Sequence, residues 1–196
     1  MLLMVVPSVA LAQDQNLAPT GDYNDADFRL NDGGTACDTA ACETEVDESP
    51  ASPDGLEVNT GTNNASIIFN MDDPSDNPSG VTDAQTIQII SSRCTEAGVE
   101  TSGGTNPNFD LYVSCGGSDH QTLVTAQTQS GIDQDNSYNW TFGGSCAADG
   151  TDVEVRFVAH RAGGGGNRRY PCIEAIEWEV THAAAGGARR RVWVIQ

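Results

Sequence analysis

The sequence predicts an all-β fold, a two-layer antiparallel β-sandwich of jelly-roll-like or lectin-like type, from three features. Short segments after residue 62 alternate between apolar and polar residues, turn-rich stretches such as DDPSDNPSG and RAGGGGN separate them, and no stretch carries a sustained apolar stripe of helical period. Period-two alternation buries one face of each strand and exposes the other, which is typical of antiparallel sheets packed face to face.

The first element, residues 1–12, is an apolar run that closes with Ala10-Leu11-Ala12. It fits the hydrophobic region and small-x-small cleavage site of a secretory signal peptide. It is too short to span a bilayer as a helix, which needs about 20 apolar residues. No Lys or Arg precedes it. We therefore expect either export, with a mature chain that starts near Gln13 and has no membrane span, or an apolar arm against a neighbouring subunit.

The second element, residues 13–62, is polar and has almost no hydrophobic periodicity. The first sixty residues hold twelve acidic side chains and one arginine, Arg29, a charge of −11. Such a stretch buries too little apolar surface to fold alone. We expect an extended acidic arm or loops wrapped on the main domain, with disorder as the alternative.

The third element is the sandwich itself, predicted over residues 63–182. The alternation predicts these strands, together with one in the tail: 65–70, 84–93, 108–115, 121–127, 137–142, 152–160, 172–181 and 190–195. The inward positions define the expected core: Ile67, Phe69, Ile87, Ile89, Phe109, Leu111, Val113, Val155, Phe157, Ile176, Trp178 and Val180.

The last element, residues 183–196, is a small-residue linker followed by a basic and apolar strand. We expect this strand either to close its own sandwich or to add to a neighbouring copy. Residues 160–196 carry six arginines against three glutamates, a charge of +3, so we also expect complementary ends that favour head-to-tail contact. The candidate assembly residues are Arg189, Arg190, Arg191, Val192, Trp193, Val194 and Ile195.

The cysteine count is even, which in an exported chain suggests disulfides. Only Cys37 and Cys42 are close enough in sequence for their pairing to be predicted. A zinc site is disfavoured because no pair of CxxC elements occurs and the histidines are not at ligand spacing. The candidate disulfide residues are Cys37, Cys42, Cys94, Cys115, Cys146 and Cys172.

Two acidic loops are candidates for calcium, because each clusters carboxylate oxygens within a turn. Asx residues are also common in turns for backbone reasons alone. No cofactor is required by this interpretation, and calcium is the one candidate ion. The candidate ligands are Asp72, Asp73, Asp76, Asp133 and Asp135.

The net charge of −19, with nine arginines and no lysine, disfavours nucleic acid and anionic lipid as partners. No catalytic motif occurs: there is no GxSxG, HExxH, Walker or dinucleotide-binding signature. We therefore expect a protein without enzymatic activity. A surface glycan is a candidate partner because Tyr112 alternates out of phase with the core residues of its strand.

Residues 81–181, about half of the chain, resemble a known type of protein. The segments VTDAQTI (81–87), YNWTF (138–142), DVEVR (152–156) and IEAIEWEV (173–180) resemble small β-sandwich proteins of marine bacteriophages and related metagenomic sequences. The resemblance implies a surface or structural subunit without enzymatic role. Six cysteines and a signal-like N-terminus fit an exported cell-surface protein better than a protein that assembles in a reducing cytoplasm. We therefore expect a structural or adhesive subunit of an extracellular filament or virion surface, with other copies or coat subunits as partners. A calcium-dependent carbohydrate-binding module is the alternative.

Overall fold

In a computed structural model, the chain folds as an antiparallel β-sandwich. The structure describes residues 13–23, 27–30, 36–37, 42–46, 56–58, 64–71, 82–95, 98–99, 105–115, 121–129, 136–142, 153–163 and 168–182. The strands are β1 (Gln13–Leu17), β2 (Pro19–Tyr23), β3 (Phe28–Leu30), β4 (Leu56–Val58), β5 (Asn64–Met71), β6 (Thr82–Thr95), β7 (Gly98–Val99), β8 (Asn108–Cys115), β9 (Gln121–Thr128), β10 (Asn136–Phe142), β11 (Val153–His160) and β12 (Arg169–His182), with a short 3-10 helix at Cys42–Glu45.

The strands form two sheets, and the predicted all-β sandwich is confirmed. Sheet A has seven strands in the order β10-β6-β12-β4-β3, with β1 also paired to β12 and β7 to β6. Sheet B has five strands in the order β2-β5-β11-β8-β9. Seven predicted strands are present with ends that shift by three residues or fewer, and residues 190–195 lie outside the described part of the chain.

The inward-facing side chains of the two sheets form one core. Eleven of the twelve predicted core residues are buried, and the side chain of Val180 lies outside the described residues. Phe109 and Phe157 stack at 4.9 Å between ring centroids, and Trp140 of edge strand β10 meets Phe109 edge-on at 6.0 Å. The alternation read from the sequence therefore has the correct phase.

The acidic segment is part of the sandwich wherever the structure describes it. Its strands β1 and β2 pair with β12 and β5, so it enters both sheets. Phe28 is fully buried and meets Phe157 edge-on at 6.4 Å, and Val46 accepts a backbone hydrogen bond from Ile176. The sandwich therefore begins before residue 63, where the sequence prediction placed its start.

Two disulfides occur among the described residues, one within a short segment and one between two strands. Cys37 and Cys42 are bonded as predicted, with 5.4 Å between their Cα atoms. Cys94 and Cys172 join β6 to β12, with 5.8 Å between their Cα atoms. The side chain of Cys115, and Cys146 altogether, lie outside the described residues.

The predicted complementary ends stay a prediction. Gln13 pairs with His182, and Asp14 pairs with Thr181, so the acidic segment starts beside the point where β12 ends. Arg169 lies at the other end of this strand, 13 residues away and therefore roughly 43 Å along it. Three other arginines of the predicted basic end, Arg189, Arg190 and Arg191, lie outside the described residues.

Replacing Trp178 with alanine should lower the free energy of unfolding by about 3–5 kcal/mol, because the indole is fully buried and its removal leaves a cavity. Urea unfolding measures this loss. Glu179→Ala, at the adjacent exposed position, serves as the control and should change stability by less than about 0.5 kcal/mol. Similar losses in the two variants would contradict the assigned strand phase.

Removing the two disulfides separately should have unequal effects. Cys94 and Cys172 are 78 residues apart, whereas Cys37 and Cys42 are 5 apart. The loop-closure entropy of the unfolded chain predicts a loss of about 4–5 kcal/mol for the long loop and about 2 kcal/mol for the short one. Paired Cys→Ala variants in equilibrium urea unfolding test this. Equal losses would show that loop entropy does not govern the effect.

Candidate functional site

A connected cluster of polar side chains lies on the outer face of sheet B. Alternation points Asp110 and Tyr112 of β8 outward, because Phe109, Leu111 and Val113 fill the core. The same reasoning applies to Arg156 and His160 of β11. The strand register then brings these residues together with β5 and β9. We call the set the Asp110 network: Asn64, Asp110, Tyr112, Ala126, Arg156 and His160.

The carboxylate of Asp110 is the centre of the network and accepts three hydrogen bonds. Oδ1 accepts one from the backbone N–H of Ala126, at 2.7 Å. Oδ2 accepts one from the hydroxyl of Tyr112, at 3.1 Å, and faces Nε2 of His160 at 2.9 Å. One side chain therefore connects its own strand to the strands on both sides.

Ala126 lies where β9 departs from regular pairing. The β8–β9 register shifts between Phe109 and Leu111, and Ala126 has a φ of 53°. A β-bulge with a residue in the left-handed region leaves a backbone N–H without its ladder partner. Asp110 satisfies that N–H. The carboxylate therefore stabilises the bulge.

His160 is held between two oxygens. Its Nε2 faces Asp110, and its Nδ1 lies 2.9 Å from Oδ1 of Asn64, the residue opposite it on β5. An imidazolium donates to both oxygens, and a neutral ring keeps both contacts if the Asn64 amide turns its nitrogen toward Nδ1. Both ring nitrogens of His160 are therefore engaged by side chains of the network.

Tyr112 and Arg156 form the second half of the network. They are paired directly across β8 and β11, and the guanidinium carbon lies 4.5 Å from the centroid of the phenol ring. This is a cation–π contact of the kind that holds an aromatic ring in one orientation. The hydroxyl bond to Asp110 fixes the same ring at its other end.

An apolar floor lies beneath the polar side chains. Val158 pairs with Asp110 between Arg156 and His160 on β11, and only 8% of its surface is exposed. Ile68, which pairs with Arg156 from β5, is 6% exposed. Charges above such a floor interact more strongly than they would in bulk water.

The network shifts two pKa values. Burial raises the pKa of Asp110, but the Ala126 N–H, the hydrogen bond and charge of His160, and the Tyr112 hydroxyl together lower it below its ordinary value. Burial and then the hydrogen bond and charge of Asp110 raise the pKa of Tyr112, against the smaller effect of Arg156. The ionised carboxylate and the neutral phenol are therefore the favoured forms.

Most of the other residues proposed from the sequence lie outside the described part of the chain. They are the calcium candidates, Asp72, Asp73, Asp76, Asp133 and Asp135, and the assembly candidates 189–195. Among the residues that the structure describes, no group of three or more His, Cys, Asp or Glu side chains is placed to hold a metal ion. Nor do these residues include a helix long and apolar enough to cross a membrane. Tyr112 is the one proposed ligand-binding residue that the structure places in a polar cluster.

Comparison with known protein families, curated proteins and solved structures finds no match to this chain. The resemblance to marine bacteriophage β-sandwich proteins therefore stays a prediction.

The Asp110 network should stabilise the fold in a pH-dependent way. A carboxyl whose pKa is lowered by folding contributes stability above its unfolded pKa of about 3.9, and this contribution is lost as the pH falls through the folded value. The stability difference between the native protein and Asp110→Asn should therefore shrink as the pH falls below about 4. Urea unfolding at each pH measures it.

The matched control is Glu179→Gln, which removes the same unit of charge at an exposed position on sheet A. An Asp110→Asn difference that does not decrease in acid would contradict a stabilising role for the ionised carboxylate.

Proposed function

We propose that the protein is a structural or adhesive subunit, without enzymatic activity, of an extracellular filament or virion-surface assembly, and that copies join through the C-terminal segment. One observation carries the proposal. Gln13 pairs with His182 at the end of β12, the last strand that the structure describes, and the sequence continues from there through residues 183–196.

The pairing of β12 supports a role for the C-terminal segment, residues 183–196, outside its own sandwich. On one side β12 pairs with β6, and on the other it pairs with β4 and β1. On the second side the described pairing covers Ile173 and residues 178–182, which is the end of β12 from which the C-terminal segment follows. Residues 192–195, Val-Trp-Val-Ile, are apolar and favour strands. A strand added to a neighbouring copy would pair their backbone and bury their side chains.

The charge arrangement supports an apolar rather than an electrostatic anchor. Asp14 pairs with Thr181, next to the residue at which β12 ends, and Arg169 lies at the opposite end of this strand. Contacts between exposed charges alone are weak and sensitive to salt. Trp193 with its apolar neighbours is the kind of anchor that dominates interface energies. Partners are therefore other copies or other subunits of the assembly.

The disulfides support an extracellular location. Both described bonds involve fully or almost fully buried cysteines, and such bonds form and persist in oxidising compartments. Secretion, or exposure on a virion, provides those conditions.

Deleting residues 189–196 tests the proposal. We expect loss of assembly in sedimentation and electron microscopy, with a free energy of unfolding within about 0.5 kcal/mol of the full chain. The control replaces Arg189, Arg190 and Arg191 with glutamine. This variant should still assemble, with weaker salt dependence, because the apolar anchor is retained.

Three outcomes would overturn the proposal. An unfolded deletion variant would make the segment a strand of its own sandwich. Unchanged assembly after the deletion, or a full chain that stays monomeric, would show that the segment does not join copies.

A further inference from the structure

The outer face of sheet B carries two polar rows, one across four strands and one across three. In one row Asn64, His160, Asn108 and Thr128 are paired in turn across β5, β11, β8 and β9. In the other, Arg156, Tyr112 and Thr122 are paired across β11, β8 and β9. Strand spacing makes the patch about 14 Å wide, and the rows lie about 13 Å apart.

We propose that this face binds a neutral glycan, with Tyr112 as the stacking platform and Asn64 as a hydrogen-bonding contact. The site is independent of the C-terminal segment and adds a ligand to the structural role proposed above.

The aromatic platform is fixed before any ligand arrives. The Tyr112 hydroxyl donates to Asp110, and Arg156 lies against the ring. Asp110 is itself held by Ala126 and His160. A side chain already ordered in this way loses little conformational entropy on binding, which is the general advantage of a preorganised site.

The polar side chains of the two rows match the chemistry of sugar hydroxyls. Asn64, which is exposed, and Asn108 offer both donors and acceptors, and exposed Thr122 on edge strand β9 adds a hydroxyl next to Tyr112. Ligands with many hydroxyl groups need such mixed partners, whereas their C–H faces contact aromatic rings.

Charge and burial disfavour other ligands. The net charge of −19 disfavours nucleic acid and acidic polysaccharide, and within the patch the Asp110 carboxylate and the Arg156 guanidinium offset each other, so the patch is not a basic surface. The apolar residues of this face, Val158 and Ile68, are almost completely buried, so little apolar surface is exposed to an apolar peptide. An uncharged, hydroxyl-rich ligand is compatible with both constraints.

The test uses the full chain, in buffer with a calcium chelator, on an array of neutral oligosaccharides and in affinity gels that contain dextran, β-glucan or galactomannan. We expect retention by at least one of these probes. Tyr112→Ala should weaken the affinity for that probe at least tenfold, and Tyr112→Phe, which keeps the ring, should weaken it less. Thr141→Ala, at an exposed position on the outer face of sheet A, should leave it unchanged.

Circular dichroism and thermal unfolding establish that each variant is folded. If Tyr112→Ala fails to fold, Asn64→Ala takes its place, with an expected loss of at least threefold. The proposal is overturned if no neutral probe binds, if binding survives the substitutions at Tyr112 and Asn64, or if binding occurs only with added calcium. The last result would place the site in the acidic loops instead. None of these outcomes depends on whether copies assemble through residues 189–196.

Discussion

The pairing of β6 with β12 is the constraint on which sheet A depends. Both strands have 14 residues and pair antiparallel along nearly their whole length, and the disulfide between Cys94 and Cys172 joins them near one end. All the other strands of the sheet attach to this pair directly or through one neighbour, with β10 and β7 on β6, and β1 and β4 on β12. Strands with an ordinary polar sequence, such as β1 (QDQNL), are incorporated because buried backbone groups of β12 need partners.

Beside a bulge in this pair, a buried hydrogen bond links the two sheets. The register shifts between Ile173 and Ala175, so the ladder is interrupted beside Ser91. The Ser91 hydroxyl donates to the carbonyl of Cys172 at 2.6 Å, and the Gln129 amide donates to the carbonyl of Ser91 at 2.8 Å. Gln129 directly follows β9 of sheet B. Because all of these groups are buried, losing either bond would leave a polar atom unsatisfied without water, which is costly.

On sheet B, one carboxylate serves the fold and the candidate site together. Asp110 satisfies the N–H at the β9 bulge, and it also positions His160 and Tyr112. The curvature of the edge strand and the orientation of the aromatic ring therefore depend on the same ionised group. A change in this carboxylate would alter local stability and the shape of the outer face at once.

Strand identity and phase were determined by the sequence alone, because the alternation is local: Phe109, Leu111 and Val113 are buried, and Asp110 and Tyr112 face outward. The short spacing of Cys37 and Cys42 likewise made their disulfide predictable. The pairing order was decided only in the tertiary structure. Strands β1 and β2 lack a hydrophobic pattern, and β3 (FRL) and β4 (LEV) have three residues each, too few for their alternation to predict a strand. Their neighbours supply the backbone partners that stabilise them. The Asp110 network was not predictable for the same reason: its members lie up to 96 residues apart, and only the register of β5, β11, β8 and β9 brings them into contact.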